Sequence, residues 1–140
     1  MPSKTVAYLR VSTGGQDLAQ QKLAVLDHAQ RHHTPVADVV EVHASAGSPA
    51  QREQLLGLID TLQPGDRLLV SELSRLGRSL HQILQIVDRL IHKDIRLVAI
   101  KESIRFEGKQ NLQTKAMIAL FGLFAEVERD LIAERTKEGM

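Results

Sequence analysis

The stretch TVAYLRVSTGGQD, residues 5–17, decides the fold. Its β-branched and apolar half, Thr5 to Val11, reads as a strand, and the threonine and two glycines after Ser12 break it. Helical spacing starts at Asp17, with Leu18, Leu23, Leu26 and Ala29 expected on one apolar face and Pro35 closing the segment. The same order then repeats. VADVVEVH is a second strand, ASAGSPAQ a loop of small residues, and REQLLGLIDTL a helix that stops at the turn QPGD. RLLV reads as a short buried strand, HQILQIVDRLIHK as an amphipathic helix and IRLVAIK as another strand. Parallel strands need crossover connections, so this alternation predicts an α/β fold: a mainly parallel β-sheet flanked by helices.

The last third departs from that rhythm. After a polar loop, ESIRFEGKQN, the segment at about residues 112–138 has no proline and one interior glycine, Gly122. Apolar residues recur at Met117, Leu120, Phe121, Phe124, Val127, Leu131 and Ile132, which predicts one helix roughly 40 Å long at 1.5 Å per residue. A small domain cannot cover so long a stripe, so its distal part is expected to pair with a second copy of the chain.

At 140 residues the chain is sized for one domain with a real core, and its 43% hydrophobic and 25% charged residues argue against a disordered chain. No window approaches the roughly 18 uncharged apolar residues of a spanning helix, and MPSKTVAYLR lacks the apolar stretch of a signal peptide. A cytoplasmic protein with no membrane partner is expected. With no cysteine there is no disulfide, thiolate zinc site or cysteine nucleophile, which leaves six histidines and the carboxylates as the only metal ligands. The net charge of +1 does not announce a nucleic-acid binder, but residues 66–115 hold ten Lys or Arg against six Asp or Glu.

In open parallel sheets ligands bind beyond the carboxyl ends of the strands, and Ser12 lies just past the first one. It reads as helix-capping turn material or as a nucleophile. A phosphate-cradling loop is a third reading, although STGG lacks the lysine and spacing of a P-loop. The arginines bear on the choice. Arg10 precedes the serine by two residues and shares its side of the strand; LSRLGRS supplies Arg75 and Arg78, expected on one helical face; Arg52 opens a helix after the small-residue loop. Several guanidiniums converging on one hydroxyl suit a phosphodiester, because each offers planar charged donors matched to phosphate oxygens.

YLRVST followed by Gln16 and Gln21, the small-residue loop leading to Arg52, LSRLGRS, and the terminal AEVERDLIAERTKEG resemble, in order from Thr5 to Gly139, the catalytic domain of the serine site-specific recombinases, the resolvase/invertase family. The resemblance implies that Ser12 attacks a phosphodiester of double-stranded DNA and forms a 5′-phosphoserine link, without metal or cofactor. Arg10, Arg52, Arg75 and Arg78 would hold the phosphate, Tyr8, Gln16 and Gln21 would support the site, and Arg129 and Glu134 would serve assembly and the site's surroundings. It implies a homodimer through Met117, Leu120, Phe121, Phe124 and Val127, and a tetramer when two DNA sites are brought together. A DNA-binding domain is expected in a longer parent chain.

Two positions depart from the family pattern: His43, with Glu41 nearby, stands where an aspartate is common, and Ser74 stands where some members carry another. Either His43 or Glu41 could assume the acidic or orienting role, and the proton acceptor stays open. Two other functions compete: an inactive oligomerisation module of the same fold, and a phosphate- or nucleotide-binding α/β domain. Resolution, inversion, integration and transposition are not distinguished.

Overall fold

A computed structural model describes residues 3–11, 15–106, 116 and 119. Five strands form one sheet: β1 (Thr5–Val11), β2 (Val36–His43), β3 (Arg67–Val70), β4 (Arg96–Ala99) and β5 (Ile104–Phe106). They lie in the order β2-β1-β3-β4-β5. The first four are parallel, and β5 runs antiparallel to β4. Helices α1 (Gly15–Arg31), α2 (Pro49–Thr61) and α3 (Leu80–His92) make the crossovers. This is the parallel α/β arrangement expected of the sequence.

Alternation along β1 divides the interior. Val6 and Tyr8 face the larger cluster, where Leu55 and Ile59 of α2 and Val87 and Leu90 of α3 pack on Leu68, Val70 and Leu97. Ala7 and Leu9 face a smaller cluster with Val25 of α1, Leu69 and Val98. Strands buried on both faces need continuous apolar sequence, which is what RLLV and RLVA supply.

Three expectations are corrected. Leu23 and Leu26 do not face the core: they are 70% and 54% exposed, and the inward face of α1 carries Gln21, Val25 and Ala29 at four-residue spacing, with Leu18 packed against the smaller cluster. A buried polar side chain displaced the apolar stripe from its expected register. The loop ESIRFEGKQN contains β5, three residues long and paired on one side only, too short for a periodic signal. Arg75 and Arg78 do not share a helix: Leu73–Arg75 is one 3-10 turn, and α3 begins afterwards behind its cap, Ser79. The expected helix at residues 112–138, with its dimer residues Met117, Leu120, Phe121, Phe124 and Val127, lies outside the described residues, as do Arg129 and Glu134. No helix among the described residues is long and apolar enough to cross a membrane.

Candidate active site at the carboxyl end of the sheet

Strand β1 outruns one neighbour. It pairs with β2 as far as Val11, but with β3 only from Thr5 to Ala7. Backbone groups of Arg10 therefore lie beyond the β3 ladder, and a buried unpaired amide is costly. Gln21 of α1 replaces the missing strand: its Nε2 donates to the Arg10 carbonyl at 3.0 Å, and its Oε1 accepts from the Arg10 N–H at 3.2 Å. Gln21 is buried for this reason. The same Nε2 reaches Asp17 Oδ2 at 3.2 Å.

The Arg10 side chain is 8% exposed, and its Nη1 donates to the Ala44 carbonyl at 3.1 Å. Arg75 reaches the Arg10 backbone carbonyl from the turn after β3. Arg75 forks onto Asp17, with Nη2 to Oδ1 at 2.9 Å and Nη1 to Oδ2 at 3.1 Å; its Nη2 lies 3.0 Å from Glu72 Oε1 and its Nη1 3.5 Å from the Arg10 carbonyl. The Nε atoms of both arginines are buried without a partner among the described residues. Burial alone would raise the Glu72 carboxyl, but hydrogen bonds from Lys101 and Ser74 and the charge of Arg75 outweigh it and hold the group below the ordinary carboxylate range.

Two matching caps set the rest of the site. Ser48 caps α2, its Oγ accepting from Gln51 N–H at 3.2 Å, and the Gln51 Oε1 reaches back to Gly47 N–H at 3.1 Å. Ser79 caps α3 in the same way, with Gln82 Oε1 accepting from Arg78 N–H at 2.8 Å. These are S-x-x-Q capping boxes in which the glutamine satisfies the residue before the cap. The boxes abut: Gly47 has φ +73°, and a β-carbon there would lie 2.8 Å from Arg78 Cβ. Gln51 spends its other end on the core, donating from Nε2 to Tyr8 Oη at 2.9 Å. Burial pushes the Tyr8 phenol above its ordinary value, against the opposing effects of that bond and of Arg10.

The structure thus joins Arg10, Gln21 and Arg75 directly, and links Tyr8 to them through Gln51, whose Nε2 lies 3.5 Å from the Arg75 carbonyl. Arg78 is exposed beside Gly47. Arg52, in the first turn of α2, turns aside to Gln85 of α3 at 3.2 Å. Ser74 bonds Glu72, and Gln16 lies in the first turn of α1. Ser12 itself lies outside the described residues. Glu41 and His43 are in register with Leu9 and Val11, on the sheet face opposite Arg10 and Tyr8. Glu41 pairs with Lys22 of α1 at 2.8 Å and with His43 at 3.5 Å, and none of the four arginines bonds either. The Lys22 hydrogen bond, first among several causes, holds the Glu41 carboxyl low.

Asp17, Gln51 and Glu72 were not legible as site residues. Asp17 stands four residues before Gln21, which puts both on one helix face, and Gln51 completes a readable S-x-x-Q pattern. Chemically, the cluster is a set of permanently charged guanidiniums at a strand end, partly neutralised by carboxylates, suited to an anionic group. No group of three or more metal-ligating side chains occurs among the described residues.

Comparison with known proteins agrees in one direction. Residues 5–140 match the family model for the resolvase N-terminal domain. The Tn501 transposon resolvase of Pseudomonas aeruginosa is 32% identical over 140 residues, covering 100% of this chain and 70% of that protein. The DNA-invertase of Escherichia phage P1 is 30% identical over 135 residues, 96% of this chain and 67% of that one. Among solved structures, the N-terminal catalytic domain of TP901-1 integrase superposes with a TM-score of 0.69 at 25% identity, over 91% of this chain and 98% of that domain. A resolvase-family site-specific recombinase from Streptococcus pneumoniae shares the fold, with a TM-score of 0.72 at 23% identity over 99% of this chain and 95% of that one.

Proposed function

This chain belongs to the resolvase family, in its N-terminal domain, and we propose that it is a serine recombinase that cleaves and rejoins double-stranded DNA at specific sites. The Ser12 hydroxyl gives up its proton as its oxygen forms a bond to phosphorus of the DNA backbone, the bond from phosphorus to the 3′-oxygen breaks, and the departing 3′-oxygen takes up one proton to become a free 3′-hydroxyl. The 5′-phosphoserine ester retains the energy of the broken linkage, so a 3′-hydroxyl from another strand can reverse the step after exchange. No redox partner or nucleotide is consumed.

One observation carries this reading: the Arg75 guanidinium reaches the main-chain carbonyl of Arg10 at the end of β1, two residues before Ser12, and each of these arginines has a buried Nε with no partner among the described residues. Donors placed where charge develops on the phosphoryl oxygens are the largest source of rate in phosphoryl transfer. In this reading Arg52, in the first turn of α2, and Arg78, just before the cap of α3, meet the flanking DNA backbone. Tyr8 and Gln21 fix the strand from beneath. In the same reading two chains pair through Met117, Leu120, Phe121, Phe124 and Val127, and two such dimers hold the two DNA sites while strands are exchanged.

The test is recombination of a supercoiled plasmid carrying two copies of the native flanking DNA. The wild-type protein converts it to recombinant circles and Ser12→Ala yields none, although it still binds the DNA. Equal conversion by Ser12→Ala would overturn the serine mechanism.

A further inference from the structure

Arg75 has no free hydrogen on its Nη fork for a substrate. Its two Nη atoms carry four hydrogens and lie within 3.5 Å of four oxygens: both of Asp17, one of Glu72 and the Arg10 carbonyl. Its Nε is buried. A phosphodiester can therefore meet the guanidinium fork only by displacing one of these oxygens. Glu72 is tied in place by Lys101 at 3.2 Å and by Ser74, and its side chain is 20% exposed. The Arg10 carbonyl belongs to the strand. Asp17 is the member that can leave: it sits in the first turn of α1, is 37% exposed, and is held besides Arg75 only by Gln21 among the described residues.

We propose that Asp17 occupies the Arg75 fork as an internal stand-in for phosphate, and that the DNA backbone takes its place when the site engages substrate. A carboxylate and a phosphodiester present the same pair of oxygens to a guanidinium, so the exchange replaces two fork bonds with two of the same kind. The device keeps the Nη fork of a half-buried cation paired in the absence of DNA, at the expense of affinity. It rests on reading this cluster as the phosphodiester site.

The test measures binding of the full chain to a 20-base-pair DNA duplex at fixed ionic strength, for wild type, Asp17→Asn, Arg75→Gln and the double variant. Asp38→Asn, an exposed carboxylate change on β2, controls for bulk charge, and Asp17→Ser repeats the test should the asparagine perturb folding. Removing one charge-assisted competitor is expected to tighten binding about fivefold, with Asp38→Asn changing it far less and the gain absent in the double variant. Weaker binding in Arg75→Gln, with no gain in either Asp17 variant, would overturn the displacement and leave the phosphodiester reading standing. No effect of Arg75→Gln or of the Asp17 variants would overturn both.

Discussion

Gln21→Met isolates what the amide of Gln21 contributes, because methionine nearly matches its volume and offers neither donor nor acceptor of comparable strength. In the native site the amide satisfies the N–H and C=O of Arg10 in a position 2% exposed. Each buried backbone group left unpaired costs about 1–3 kcal/mol, and the thioether returns about 1 kcal/mol of apolar burial. The net loss is therefore about 1–5 kcal/mol, with a midpoint of about 3 kcal/mol. For a domain of this length that corresponds to a drop of about 10 °C in Tm. Urea denaturation monitored by far-UV circular dichroism gives the free energy, and a thermal scan gives the shift. A loss below about 0.5 kcal/mol would refute the reasoning, since it would mean that water or a local shift satisfies Arg10 as well as Gln21 does.

Three other perturbations test neighbouring parts of the site. Tyr8→Phe and Gln51→Leu should each cost about 1–2 kcal/mol, and the double variant about 1 kcal/mol less than their sum, because both remove the same 2.9 Å bond; a purely additive denaturant cycle would contradict the pairing. The Glu72 carboxyl is lowered in the folded state, so its contribution to stability is present above its ordinary value of 4.5 and is lost as pH falls through the lower folded value. Glu72→Gln should accordingly lose less stability than wild type between neutral pH and that acid range, and equal acid slopes in urea titrations would count against the account. Gly47→Ala should destabilise by about 1–3 kcal/mol, since φ +73° and the contact with Arg78 Cβ both oppose a side chain; a neutral melting profile would show that the two capping boxes are not packed together.

The four parallel strands were legible because their signal is local. VADVVEVH and RLLV coincide with β2 and β3, since runs of apolar and β-branched residues bounded by turn residues have few other homes. The failures arose where a residue's role depends on something distant in sequence. Gln21 sits on the core face of α1 because β3 leaves β1 early, and no spacing within the helix announces that. Arg75 pairs with Asp17 across 58 residues, so LSRLGRS looked like a helix carrying two equivalent arginines, whereas one is tied into the site and the other is exposed. The arginines beside Ser12 could be picked out in the sequence; the carboxylates that pair with Arg75 could not.

The central claim is that the Ser12 oxygen becomes joined to DNA. Protein and supercoiled substrate are quenched during cleavage, digested to a short nucleotide remnant, and the modified peptide is located by mass spectrometry. The account predicts a 5′-phosphoryl nucleotide on the peptide spanning Ser12, lost in Ser12→Ala. An adduct on another residue, or DNA ends cleaved with equal efficiency by Ser12→Ala, would contradict it.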